Sequence, residues 1–110
     1  MSMIENFEAM LARGQDSALL RYGLGNEYLK VKEYEQAVEH LAEAVRQDLG
    51  YSAAWKLYGK ALTGAEQYEE AVTAFDRGID TAEAKGDVQA AKEMRVFRKR
   101  AEKALAGPGS

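Results

Sequence analysis

Cysteine is absent from this 110-residue chain, and proline occurs only once. The lack of cysteine excludes a disulfide framework, a thiolate metal site and a cysteine nucleophile. His40 is the single histidine, so a site with several histidine ligands is excluded as well. No apolar run approaches the roughly 20 residues that a membrane-spanning helix needs. Residues 1–6 lack the basic and apolar segments of a secretory signal. We therefore expect a cytoplasmic protein.

What the chain does contain fits one small globular domain. Hydrophobic residues make up 46% and charged residues 30%, which is enough for a modest core. The net charge is −3, and this disfavours bulk binding to nucleic acid. No glycine-rich phosphate loop and no metal-ligand spacing is present. His40 has no partner at a catalytic spacing, so we expect it to be a half-exposed surface residue. We expect no enzyme activity, no cofactor and no metal.

A repeat of 34 residues organises the middle of the chain, because residues 18–51 align with residues 52–85. The identical pairs are Gly25/Gly59, Tyr34/Tyr68, Glu35/Glu69, Ala37/Ala71 and Val38/Val72. Each copy contains two apolar stripes of helical period, joined by a short polar connection that predicts antiparallel neighbouring helices. No segment alternates as a strand does, so the sequence predicts an all-α fold.

The large and small residues of each copy occupy the signature places of a known family. In the first copy they are Leu24, Gly25, Tyr28, Tyr34, Ala37, Leu41 and Ala44; in the second they are Trp55, Gly59, Tyr68, Ala71 and Phe75. On these residues the chain resembles the tetratricopeptide repeat (TPR) family. The resemblance implies TPR-like antiparallel helix pairs in a short right-handed superhelix of about six helices. Gly25 with Ala37, and Gly59 with Ala71, are expected where the two helices of a repeat cross.

The flanking segments extend this pattern at both ends. Residues 3–13 predict the second helix of an N-terminal half-repeat, ended by Gly14 and followed by an N-cap at Asp16 or Ser17. Its inner face consists of Ile4, Phe7, Met10 and Leu11. Residues 88–105 predict a capping helix, preceded by the stop Gly86 and the N-cap Asp87. Its core face consists of Ala90, Met94, Phe97, Ala101 and Leu105. Residues 1–105 thus form one predicted domain, and residues 106–110 are expected to be a disordered tail.

The resemblance also implies a function, because the first helices of TPR repeats line a concave face that holds partner peptides. The chain is therefore expected to be a non-catalytic protein–protein interaction module or scaffold. The expected peptide-binding groove consists of Tyr22, Asn26, Leu29, Lys30, Lys56, Lys60 and Thr63. Lys56 and Lys60 are alternatively solvated surface lysines. The two-carboxylate clamp of chaperone-binding members is excluded, because Tyr22 and Leu57 stand where that clamp has Lys and Asn.

Two alternatives to the groove stay open at the sequence level. The first is binding of nucleic acid or an anionic surface by the capping helix, where six basic and two acidic residues between positions 92 and 103 give +4. The residues that share one face there are Lys92, Arg95, Lys99 and Lys103. These cations could equally form a solvated outer face. The second alternative is self-association through a repeat end. We expect a monomer or a weak homo-oligomer whose partner is another protein.

Overall fold

The computed structural model describes residues 2–107, and all regular structure in that range is α-helical. The six helices are α1 (Met3–Ala12), α2 (Ala18–Lys30), α3 (Tyr34–Gln47), α4 (Ser52–Gly64), α5 (Tyr68–Ala84) and α6 (Val88–Ala106). The all-α prediction with six helices is confirmed. Both helix starts of the first repeat recur 34 residues later, at α4 and α5. Ala106, predicted as the first residue of the tail, is the last residue of α6, and residues 108–110 of the predicted tail lie outside the described residues.

Four helix ends share one backbone geometry. Gly14, Lys32, Glu66 and Gly86 have positive φ angles of 83, 60, 62 and 75°. After α2, the N–H of Lys32 donates to the carbonyl of Leu29, and the next N–H donates to the carbonyl of Tyr28. This is the Schellman motif, which satisfies carbonyls at the end of a helix. The predicted stops at Gly14 and Gly86 are confirmed, whereas Lys32 and Glu66 are residue types that rarely adopt this conformation.

The predicted N-caps are also present. The Ser17 hydroxyl accepts a hydrogen bond from the N–H of Leu20 at 3.1 Å, so Ser17 is the cap of α2. The Asp87 carboxylate accepts one from the N–H of Ala90 at 3.0 Å at the start of α6. Each cap satisfies one of the N–H groups that a helix leaves without an internal partner.

Glycine allows the two helices of each repeat to approach closely. A Cβ atom on Gly25 would lie 2.3 Å from Cγ of Leu41, and one on Gly59 would lie 2.4 Å from Cε1 of Phe75. The prediction for Gly25 and Gly59 is therefore confirmed, whereas Ala37 and Ala71 are buried but are not the nearest neighbours of a Cβ at these glycines. The side chains that meet the glycines are the large residues Leu41 and Phe75, which are themselves equivalent in the 34-residue repeat. An alanine at either glycine would force these buried side chains to move.

The core is densest in the second repeat and the capping helix. Phe75, Leu62 and Met94 are among the largest completely buried side chains, while α1 contributes no buried residue. On α6, Met94 and Ala101 are buried as predicted, but the prediction for Leu105 is wrong, since this side chain is 53% exposed. Residues 102–106 are all exposed, so the last turn of α6 extends beyond the helices that cover the rest of it.

Candidate functional site

A pocket of about 470 Å³ opens where α2, α4 and α6 lie side by side. Its apolar walls come from Leu29, Leu57, Phe75 and Phe97. The remaining lining residues are Asn26, Lys30, Lys32, Tyr34, Lys60, Thr63, Gly64 and Arg100. We call this site the basic pocket. Its volume is within the range of sites that bind small ligands or single side chains of a partner.

Five of the seven residues predicted for the groove line the basic pocket, namely Asn26, Leu29, Lys30, Lys60 and Thr63. The Lys60 ammonium lies 5.1 Å from the centroid of the Phe97 ring. The Thr63 hydroxyl donates to the carbonyl of Gly59 at 2.8 Å and keeps its lone pairs for a ligand. The side chain of Asn26 makes no hydrogen bond within the described range, so its amide is available to a peptide backbone.

The other two predicted groove residues, Tyr22 and Lys56, lie outside the basic pocket. They occupy the same position in the two copies of the 34-residue repeat, so this one repeat position does not contribute to the pocket in either copy. The Tyr22 ring stacks on Tyr51, with 5.0 Å between ring centroids. The Lys56 ammonium lies 3.2 Å from a carboxylate oxygen of Glu93 and lowers the pKa of that carboxyl. Both side chains thus make contacts between structural elements.

All charged residues that line the basic pocket are positively charged. Lys30, Lys32, Lys60 and Arg100 line it, and none of its lining residues is acidic. Lys30 pairs with Glu27 at 2.9 Å, whereas the other three cations form no ion pair within residues 2–107. Sequence reasoning missed Lys32, which lies in a connection, and assigned Arg100 only to the basic stretch of α6. The available signal for Arg100 was its spacing of three residues from Phe97, which places both on one helix face.

The predicted basic face of α6 is exposed at Lys92, Arg95, Lys99 and Lys103. Arg95 pairs with Glu83 of α5. The neighbouring Arg98 lies 2.5 Å from a carboxylate oxygen of Asp76 and 2.6 Å from one of Glu102. Part of the excess charge on α6 is therefore balanced by the acidic residues of α5. The lysines of this face make no ion pair in the part of the chain that the structure describes.

The prediction for His40 is wrong, because its side chain is buried, with 6% of the residue exposed. Its Nδ1 lies 3.1 Å from Nη1 of Arg21 and its Nε2 lies 3.3 Å from Oε1 of Glu8. The Tyr28 ring stacks on the imidazole, and its hydroxyl donates to the same Glu8 oxygen at 3.0 Å. Arginine can only donate, so Nδ1 accepts and the proton of neutral His40 is on Nε2. The helix α1 thereby covers a residue that would otherwise face solvent.

The surroundings of His40 favour its neutral form. Burial lowers the pKa of His40 below its ordinary value of 6.5. The carboxylate of Glu8 raises this pKa and the Arg21 charge lowers it, but burial has the largest effect. Arg21 also donates from Nε and Nη2 to the two carboxylate oxygens of Asp16, each at 2.9 Å. These hydrogen bonds hold the pKa of Asp16 at about 2. The cluster thus joins α1, α2 and α3 through charged groups, and its members contact one another rather than an open cavity.

Sequence reasoning also missed a second hollow, of about 460 Å³, lined mainly by α3, α4 and α5. Trp55 and Tyr58 line it, and the Arg77 guanidinium lies 5.0 Å from the Trp55 ring centroid. The sequence marks these aromatic residues only as core fillers. Two basic and two acidic residues line the hollow, so it favours neither sign of charge. Its rim residues are Arg46, Glu69, Glu70 and Arg77.

Two kinds of site are absent from residues 2–107, the part of the chain that the structure describes. No group of three or more histidine, aspartate or glutamate side chains is arranged to hold a metal ion. No helix in this range is both long and apolar enough to cross a membrane.

Comparison with known proteins agrees with the geometry. A family model described as tetratricopeptide repeat matches residues 28–94. A TPR repeat-containing protein of Pseudomonas aeruginosa is 50% identical over 102 residues, which cover 93% of this chain and 97% of that protein. The solution structure of a Bordetella parapertussis protein matches with a TM-score of 0.80 and 39% identity, covering 96% of this chain and 92% of that one.

The fold also recurs in a distant structure. The TPR2B domain of yeast Sti1, solved in complex with pHsp70, matches with a TM-score of 0.83 at 15% identity. The alignment covers 92% of this chain and 81% of that one. At this identity the likeness concerns the fold. Together with the family model, these matches confirm the resemblance inferred from the repeat.

Proposed function

The chain belongs to the tetratricopeptide repeat family, and from this premise we propose that it binds a peptide or helix of one partner protein in the basic pocket. Proteins of this family are typically non-catalytic interaction modules. The observation that carries the proposal is the convergence of Asn26, Leu29, Lys30, Lys60 and Thr63 on one cavity. These residues come from two repeats, so a ligand there would contact both.

The mechanism follows from the chemistry of the pocket walls. The Asn26 amide carries both donors and an acceptor, so it can pair with the backbone of an extended segment. Leu29 and Leu57 provide apolar surface against which a partner side chain can be buried. Because the pocket spans only two repeats and the capping helix, the contact area is small. We therefore expect weak to moderate affinity for a single segment.

The test is capture of partners from a nuclease-treated native lysate, with bound proteins identified by mass. The pocket variant Asn26→Ala/Lys60→Ala should lose a partner that the unmodified protein retains. The control variant Lys92→Ala/Lys99→Ala removes two cations from the outer face of α6 and should retain it. A partner lost only by the control would place binding on the outer face of α6. If both variants retained every partner, the proposed function of the pocket would be wrong.

A further inference from the structure

The basic pocket has a charge pattern that restricts its ligand, and this step rests on the function proposed above. Three of its cations, Lys32, Lys60 and Arg100, have no carboxylate partner within residues 2–107. The chain has a net charge of −3, but none of its acidic residues lines the pocket. Cations that remain unpaired at the rim of an apolar cavity favour a ligand that brings its own negative charge.

The two cations at the capping-helix side converge on one aromatic ring. Lys60 of α4 lies 5.1 Å from the Phe97 ring centroid, and Arg100 of α6 lies 5.6 Å from it. Phe97 is half-buried and its ring stacks on the fully buried Phe75, with centroids 6.0 Å apart. An apolar side chain entering the pocket would therefore meet aromatic carbon, with a positive charge beside it from each of two helices.

The surroundings of the pocket disfavour a long polyanion. A neighbouring hollow shares Lys32, Tyr34 and Gly64 with the basic pocket, and its other walls include Glu33 and Glu66. A nucleic acid strand that left the pocket on this side would bring its phosphates against carboxylates. A short segment with a few carboxylates can place them at the cations and then turn away.

We propose that the basic pocket binds a protein segment in which a large apolar side chain, such as phenylalanine or leucine, is flanked by aspartate or glutamate. The apolar side chain packs against Leu29, Leu57 and Phe97. The flanking carboxylates bind Lys60 and Arg100, and the Asn26 amide pairs with the segment's backbone. Specificity thus requires both the apolar anchor and the acidic neighbours.

The probe is a fluorescently labelled octapeptide with one phenylalanine between two pairs of aspartates, measured by fluorescence polarisation. Two matched peptides replace phenylalanine by serine or all aspartates by asparagine. We expect binding of the first peptide only. The variant Lys60→Gln/Arg100→Gln should weaken it about tenfold or more, because two charge-assisted contacts are lost. The equally charged variant Lys92→Gln/Lys99→Gln should leave its affinity unchanged.

Several outcomes would overturn this inference. Equal binding of the asparagine peptide would exclude recognition of carboxylates, and equal binding of the serine peptide would exclude the apolar anchor. Absence of detectable binding of the peptide with phenylalanine and aspartates up to about 1 mM would also overturn the inference. So would tighter binding of a labelled ten-nucleotide oligouridine that depends on Lys60 and Arg100. If these peptides failed while a captured partner still required Asn26 and Lys60, the ligand class would be wrong and the proposed function would stand.

Discussion

The two ends of the helix stack are held by different kinds of contact. At the C-terminal end, α6 buries Ala91, Met94 and Ala101 in the main core. At the N-terminal end, α1 buries no residue, and Glu8 links it to the rest through hydrogen-bonding distances to Tyr28 and His40. The same repeat architecture is thus closed by fully buried apolar side chains at one end, and at the other by half-buried apolar side chains such as Phe7 together with polar contacts.

The two kinds of contact contribute unequally to the stability of the molecule. Burial of apolar surface is the dominant favourable term in folding, whereas exposed ion pairs contribute little. We therefore expect α4, α5 and α6 to form the stable unit and α1 to be the first helix that opens. The basic pocket is built mostly on the stable side, since Lys60, Phe75, Phe97 and Arg100 all belong to α4, α5 or α6. A ligand would consequently find a preorganised surface.

Two phenylalanines at equivalent repeat positions provide the most direct test of the expected difference in stability between the two ends. Phe75 is completely buried, whereas Phe7, 68 residues earlier, is only half-buried in α1. Phe75→Ala should lower the free energy of unfolding by about 3–5 kcal/mol, because it leaves a cavity in the core. Phe7→Ala should cost less than about 2 kcal/mol, since less apolar surface is lost. Urea unfolding followed by circular dichroism at 222 nm, a wavelength that reports helix, measures both.

If Phe75→Ala proves too unstable to fold, Phe75→Leu and Phe7→Leu provide the same comparison with smaller losses. Equal losses at the two positions would contradict the view that the C-terminal end carries the core. Hydrogen exchange adds a local readout, because the α1 amides should exchange faster than those of α5 and α6 in the unmodified protein.

Much of the fold could be predicted because repeat positions are set by local periodicity. The 34-residue spacing gives the starts of four helices, and Gly14 and Gly86 mark two ends. Periodicity is less informative in alanine-rich α6, where Ala91 is buried one position beside the predicted stripe and was overlooked, because alanine carries too little apolar surface to mark a face. Leu105 lies on the predicted stripe but is exposed, because periodicity does not reveal that the last turn of α6 extends beyond the neighbouring helices.

The candidate site was less predictable, since it depends on contacts between helices distant in sequence. His40 is in contact with Glu8 of α1 and with Arg21 and Tyr28 of α2. The available signal was the repeat itself, because His40 aligns with Ala74, a position with 2% exposure. Likewise, Arg100 joins the basic pocket through the packing of α6 against α4, which no single helix pattern reveals.

The stability of the N-terminal end should also depend on pH. The expected change in the free energy of unfolding is smaller than the loss expected for Phe75→Ala. Because the folded protein lowers the pKa of His40 below 6.5, the unfolded chain takes up a proton there more readily. The free energy of unfolding should therefore be highest above pH 6.5 and fall as the pH drops below it. The limit for one proton is about 1.4 kcal/mol per pH unit. Urea unfolding between about pH 7.5 and about pH 5, the range in which an unperturbed histidine titrates, measures this slope.

The matched variant is His40→Gln, which cannot titrate in this range while an amide can still donate and accept. Carboxylates such as Asp16 titrate in both proteins, so they cancel in the difference. The unmodified protein should lose more stability than the variant on acidification, and α1 should show the largest rise in amide exchange. Identical slopes in the two proteins would mean that His40 does not couple the attachment of α1 to protonation.

The smallest expected change in stability concerns the connection between the two helices of each repeat, whose backbone conformation is the same in both repeats. Lys32 and Glu66 are equivalent in the repeat, and each has a positive φ of about 60° that glycine adopts without steric cost. Lys32→Gly and Glu66→Gly should each raise the free energy of unfolding by up to about 1 kcal/mol, because relief of the left-handed strain exceeds the added entropy of the unfolded chain. Thermal and urea unfolding measure both variants, and Glu39→Gly at an exposed position in the interior of α3 is a control that should destabilise by about 1 kcal/mol. A loss at both connections would show that side-chain contacts, and not backbone strain, decide these positions. If only Glu66→Gly raised the free energy of unfolding, glycine would relieve strain only where the surrounding core holds the turn rigid. The difference between the N-terminal and C-terminal ends would then include the connections between helices.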